Sequence, residues 1–100
     1  MIFSKFANLE LEKIYEKINL LFDTLIDGME NADNEKFLEC EKIEAEVDMI
    51  VKEARNNRLT RLRKNECLPL SGVTFIDMIL HLERIGDLLY GISRNFSNNI

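Results

Sequence analysis

Residues 75–92 read FIDMILHLERIGDLLYGI, and this stretch decides the fold prediction. Apolar residues recur along it at steps of three and four, which is the period of one face of an α-helix. Glu83 and Asp87 are four residues apart and therefore lie on the same face of the predicted helix. Carboxylates within an apolar stripe destabilise a fold unless a cation, a proton or a partner chain neutralises them. The apolar members of this stripe are Ile76, Leu80 and Tyr90.

Two further segments with helical periodicity precede this stretch. We predict helices over about residues 3–29, 35–64 and 73–95, joined by short connections. Asp33 or Asn34 can cap the second helix through a side-chain oxygen. Thr74 and Asp77 fit a loose capping box at the start of the third. The chain is therefore predicted to be all-α, a single domain over residues 1–100 that forms an antiparallel up-down-up three-helix bundle.

Each predicted helix has an apolar face that we expect to form the core. Gly86 lies in the middle of the third helix, where glycine is unfavourable, so we expect a close approach to a neighbouring helix there. The expected core positions are Leu11, Ile14, Ile18, Leu21, Leu25 and Met29 in the first helix, Phe37, Cys40, Ile43, Val47, Ile50, Val51, Ala54 and Leu62 in the second, and Phe75, Met78, Leu82, Gly86, Leu89 and Phe96 in the third.

The composition excludes several classes of function. The net charge is −5, whereas non-specific nucleic-acid binding requires a basic face. No apolar run is long enough to cross a bilayer, so we expect no membrane insertion of this segment. Two cysteines without CxxC spacing indicate neither a disulfide framework nor a zinc site. Phosphate-binding loops and nucleophile–base arrangements are absent from the sequence, so we predict that the chain is not an enzyme.

A second pair of acids with the same spacing, Glu44 and Asp48, lies in the predicted second helix. Consecutive helices of a bundle run antiparallel, so the two pairs can approach each other near the middle of the molecule. Four facing carboxylates would suit Mg²⁺, Ca²⁺, Mn²⁺ or ferric iron better than structural zinc. Ordinary ion pairs with nearby arginines or an interface with a partner explain the same residues. The residue types leave these alternatives open.

Residues 44–92 resemble a PhoU domain. The resemblance is carried by Glu44-x-x-x-Asp48, by Arg61-Leu62, by Cys67, by Gly72-x-x-Phe75 and above all by the LERIGD block over residues 82–87. The first helix is similar only in its amphipathic pattern. The spacing of Arg-Leu, Cys and Gly-x-x-Phe looks most like the PhoU-like domain at the C-terminus of bacterial sodium/phosphate cotransporters.

The resemblance implies a role in regulating phosphate transport or phosphate signalling. It implies a cytoplasmic location, either free or tethered to the inner face of the plasma membrane through a transporter domain of the same polypeptide. Some members bind multinuclear iron or zinc clusters at their ExxxD motifs, and the corresponding ligands here would be Glu44, Asp48, Glu83 and Asp87. Members often have His and Asn where this chain has Leu88 and Gly91.

We also expect a homodimer. The stripe of Ile76, Leu80 and Tyr90 lies outside the expected core seam of the third helix, and contiguous exposed apolar surface usually marks an interaction site. PhoU proteins usually contain two three-helix units in tandem, so a second copy of this single unit would take the place of the missing repeat.

Overall fold

The computed structural model describes residues 5–64 and 69–99. Within these ranges the chain forms three α-helices, α1 (Lys5–Asn31), α2 (Asn34–Arg63) and α3 (Pro69–Asn99). Each helix packs against the other two, and the molecule measures 51 × 18 × 15 Å. The prediction of an all-α, antiparallel three-helix bundle is confirmed. None of the three helices, over the residues described, combines the length and the apolar character that a bilayer span requires.

A two-residue turn joins α1 to α2. Ala32 adopts the left-handed conformation with φ of 48°, and the Asp33 N–H donates to the Gly28 carbonyl over 3.0 Å. The Asp33 side chain then accepts from the Glu35 N–H at 3.0 Å. Of the two predicted caps, Asp33 is therefore the N-cap of α2. A Cβ on Gly28 would lie 3.0 Å from Lys36 Cβ, which explains why this tight reversal carries glycine.

Both ends of α3 differ from the prediction. The helix begins at Pro69, not near residue 73, because proline lacks an N–H and has a fixed φ that suits a first helical turn. Thr74 and Asp77 therefore lie inside the helix, and the predicted capping box is wrong. The helix also continues to Asn99, and the Ser97 hydroxyl donates to Asn34 Oδ1 on α2 over 2.9 Å. Residues 65–68 of the predicted connection lie outside the described residues.

The core follows the predicted faces of α1 and α2 and departs from the prediction in α3. Ile79 is fully buried although the predicted seam omitted it, whereas Met78 and Phe96 are each 40% exposed. Phe75, Gly86 and Leu89 are buried as predicted. Ile79 takes the place of Met78 and Ser93 that of Phe96, because α3 packs against α1 and α2 together and buries the arc between them. Leu62, expected in the core, is exposed at the end of α2. The buried apolar residues are Ala7, Ile14, Ile18, Leu21, Leu25, Phe37, Cys40, Ile43, Val47, Val51, Ala54, Phe75, Ile79 and Leu89.

Candidate functional site: an acidic cluster between α2 and α3

The packing of α2 against α3 brings carboxylates from both helices together near the middle of the bundle. A Cβ on Gly86 would lie 3.8 Å from Val47 Cγ1, an ordinary contact distance, so the especially close approach predicted at this glycine is not observed. Gly86 and Val47 are next in sequence to Asp87 and Asp48 respectively. The same contact therefore sets the level at which the acids of the two helices meet.

Three of the predicted ligands form a cluster. Glu44, Asp48 and Asp87 each place one carboxylate oxygen within 4.8 Å of the others. Glu44 and Asp48 are half-buried, and Asp87 is exposed. Among the residues described, no Lys, Arg or His forms an ion pair with any of the three. The cluster therefore concentrates negative charge without a cation from its own chain.

The crowding shows in the proton affinity of Glu44. Burial is the largest cause, and together with hydrogen bonding to Asp87 and repulsion from Asp48 and Asp87 it raises the pKa of this carboxyl from 4.5 to about 7. Near neutral pH a proton on Glu44 thus offsets part of the repulsion within the cluster. A cation entering the cluster would displace this proton, because metal binding requires deprotonated ligands.

Glu83, the fourth predicted ligand, lies outside the cluster. Its Oε1 accepts from the Arg55 guanidinium of α2 at 3.1 Å, and both side chains are partly buried. Arg55 is seven residues beyond Asp48, two helical turns along α2. Glu83 would have to leave Arg55 in order to join the three other carboxylates.

The donor set of the cluster suits a hard cation. Carboxylate oxygens are the ligands that Mg²⁺, Ca²⁺ and Mn²⁺ prefer, and ferric iron also accepts them. Three such groups, one of them exposed, would leave room for water molecules to complete the coordination of one ion. Structural zinc normally takes Cys or His ligands, and this cluster contains neither.

The predicted interface stripe is only partly exposed. Ile76 packs against the core as a half-buried residue, and Tyr90 lies half-buried beneath the Arg94 guanidinium, 5.9 Å from its ring centroid. Leu80 is 45% exposed. The apolar surface of α3 that faces solvent therefore continues around the helix from Leu80, away from Ile76 and Tyr90.

A second group of buried charged residues, which was not predicted from the sequence, lies where α1, α2 and α3 meet. Arg61 Nη2 donates to Glu10 Oε1 over 2.8 Å, with the two side chains only 11% and 15% exposed. The Arg61 guanidinium also lies 5.8 Å from the ring centroid of Phe75, so this pair connects all three helices. Arg58 is buried nearby, and burial together with the charge of Arg61 lowers its pKa. Its position four residues after Ala54, in the core period of α2, is a signal that sequence reasoning could have used.

The comparison with known protein families agrees with the three-helix fold. A family model described as the PhoU domain matches residues 11–96, which include most of α1, all of α2, most of α3 and both pairs of acids. The chain belongs to the PhoU domain family. This PhoU domain matches no curated protein and no solved structure. The family match extends to most of α1, where sequence reasoning had recognised only an amphipathic pattern.

Proposed function

We propose that this PhoU domain is a non-catalytic regulator in phosphate homeostasis that acts on phosphate uptake. The observation that carries the proposal is the family match over residues 11–96, since PhoU domains are regulatory units of phosphate homeostasis. The chemistry of the side chains agrees with a regulatory role. Cys40 is buried and its pKa is raised by burial, which makes its thiol a poor nucleophile.

The partner that we propose is a phosphate transporter at the inner face of the plasma membrane. The spacing of Arg61-Leu62, Cys67 and Gly72-x-x-Phe75 supports a sodium/phosphate cotransporter in particular, with the domain as its cytoplasmic tail. In this arrangement the domain regulates the transporter by binding it through the surfaces of the helices, because a non-catalytic domain acts only through what it binds.

Phosphate uptake by cells tests this function. A bacterial strain that lacks its own PhoU-family gene would carry the intact chain, an empty vector or an Ile79→Asp variant, and uptake of radiolabelled phosphate would be compared. Ile79 is fully buried, so the aspartate variant should not fold and serves as the negative control. We expect the intact chain alone to change the uptake rate. Equal rates in all three strains would contradict the proposal.

A second candidate function is cation binding at the acidic cluster. The observation that favours it is the convergence of Glu44, Asp48 and Asp87 without a cationic side chain among the described residues. Under this proposal a hard cation, or an iron or zinc cluster of the kind that the PhoU resemblance implies, would stabilise the fold by binding only the folded state.

Titration calorimetry with Mn²⁺ and with Fe³⁺ held in solution by citrate tests the second candidate on chelator-treated protein. We expect Asp48→Asn to abolish binding and Glu83→Gln to leave it unchanged, since Glu83 is held by Arg55 outside the cluster. The two variants remove one carboxylate each and are matched in charge. Binding that survives Asp48→Asn, or that disappears with Glu83→Gln, would assign the ion to another place.

A further inference from the structure

The side of α3 that faces away from the core exposes a large apolar surface. Large aliphatic side chains lie along it at exposures between 40% and 63%, although a solvated face of a helix usually carries polar residues. A contiguous surface of this kind usually marks an interaction site. The aliphatic residues are Met78, Leu80, Ile85, Leu88 and Ile92.

A regular line of exposed residues lies beside this apolar surface and shares Leu80 with it, and we call this line the outer seam of α3. Its members follow one another at alternating steps of three and four, which is the spacing by which one helix packs lengthwise against another. All of them are exposed. The outer seam consists of Asp77, Leu80, Arg84, Asp87, Gly91 and Arg94.

The outer seam is complementary to itself when a second copy runs antiparallel. A two-fold axis midway between Arg84 and Asp87 brings together residues at equal distances on either side of that point. Arg84 then meets Asp87 of the second copy, and Asp77 meets Arg94 of the second copy. Each contact occurs twice by symmetry, so all charges of the seam are matched with opposite charges. A parallel pair in register would instead place like charges opposite each other.

The remaining layer of the seam matches a large residue with a small one. In the same antiparallel register Leu80 meets Gly91 of the second copy. A Cβ on Gly91 would have nothing within 4 Å, so the packing of the single chain gives no reason for glycine there. Glycine in a helix interior is unfavourable compared with alanine. A partner helix that places its Leu80 over Gly91 would explain why this position is a glycine.

The same register completes the acidic cluster. Asp87 belongs both to the outer seam and to the cluster with Glu44 and Asp48. Arg84 is exposed and forms no ion pair with any residue that the structure describes. When Arg84 of the second copy reaches Asp87, its guanidinium also approaches the carboxylates of α2.

We propose that two copies of this chain form an antiparallel homodimer through the outer seam of α3, in which Arg84 of each copy neutralises the acidic cluster of the other. The dimer would use Leu80 from the predicted interface stripe, with Ile76 and Tyr90 at its edge. It stands independently of a role in phosphate uptake. It competes with cation binding, since the arginine and a metal ion would occupy the same carboxylates.

The test is the molar mass of the chelator-treated protein, measured by sedimentation equilibrium from micromolar to sub-millimolar concentration. One copy has a mass of 11.7 kDa, and we expect the intact chain to reach twice this value. Gly91→Leu should weaken the dimer by roughly 100-fold or more, because leucine fills the position that receives Leu80. Ala45→Leu, at an exposed position of α2, adds a similar side chain elsewhere and should leave the dimer unchanged.

A charge exchange checks the register and guards against a Gly91→Leu variant that misfolds. Asp77→Arg alone should dissociate the dimer by facing Arg94 of the second copy, and adding Arg94→Asp in the same chain should restore it. An intact chain that stays at 11.7 kDa throughout overturns the proposal. A folded Gly91→Leu variant that remains fully dimeric, or a double exchange that fails to restore the dimer, overturns it as well.

Discussion

Glu83 and Asp87 lie one turn apart on the same helix, and the structure gives them opposite surroundings. Glu83 meets the guanidinium of Arg55 at 3.1 Å, whereas Asp87 meets the carboxylates of Glu44 and Asp48. The difference arises on α2, where a cation faces one acid and two acids face the other. An ExxxD spacing therefore predicts which side chains share a face. The facing helix decides whether such an acid pairs with a cation or lies among other carboxylates.

The largest loss of stability should come from breaking the ion pair between Arg61 and Glu10, whose side chains are the most buried of the ion pairs among the described residues. Arg61→Ala removes its partner at 2.8 Å together with the contact to Phe75, and leaves a carboxylate that is 15% exposed. We expect the free energy of unfolding to fall by about 2–3 kcal/mol in urea denaturation. The control is Glu10→Gln with Arg61→Met, which should lose less because no charge is left alone. An equal fall in the free energy of unfolding in the two variants would show that an unpaired Glu10 carboxylate is not the cause of the destabilisation.

The acidic cluster should make stability depend on pH. The folded chain binds a proton at Glu44 more tightly than the unfolded chain, since its pKa is raised to about 7. The protonated carboxyl therefore favours the folded state, and this contribution is lost as the pH rises from about 4.5 to about 7. Glu44→Gln, which cannot ionise, should be more stable than the parent by roughly 1–2 kcal/mol above pH 7 and show no such loss.

The measurement is urea denaturation from pH 4 to pH 8 on chelator-treated protein. It should be made in the Gly91→Leu background, so that neither a metal ion nor Arg84 of a second copy neutralises the cluster. The stability difference between Glu44→Gln and its parent should grow with pH and then level off. A difference that is constant across the whole range would mean that Glu44 titrates as an ordinary exposed acid.

The smallest change in stability should come from the partly exposed pair. Arg55→Met leaves Glu83 without its cation and should cost about 0.5–1 kcal/mol, because solvent screens both side chains. The same variant frees Glu83 to turn toward the cluster on the neighbouring turn of α3. Mn²⁺ affinity, measured by calorimetry, should therefore rise in Arg55→Met and return to the parent value when Glu83→Gln is added. An unchanged affinity in Arg55→Met would show that Glu83 cannot reach the cluster.

Much of the fold could be predicted because it rests on local patterns. The number of helices follows from apolar periodicity, and Asp33 caps α2 through a bond to Glu35 only two residues away. The start of α3 departs from the prediction because proline is typical of loops and is also favoured at a first helical position, which is where Pro69 lies. For the site, the sequence predicted the three acids that form the cluster, but Glu83 has the same spacing and lies elsewhere.

The sequence by itself determined that this chain is a three-helix bundle whose second and third helices carry paired acids, because periodicity and capping act within one helix. Only the tertiary structure decided that Arg55 faces Glu83, that Arg58 is buried, and that Gly91 is a glycine its own bundle does not require. These facts depend on how far one helix slides and turns against another. That register is set by the packing of whole helix faces together, so the identity of a single residue does not reveal it.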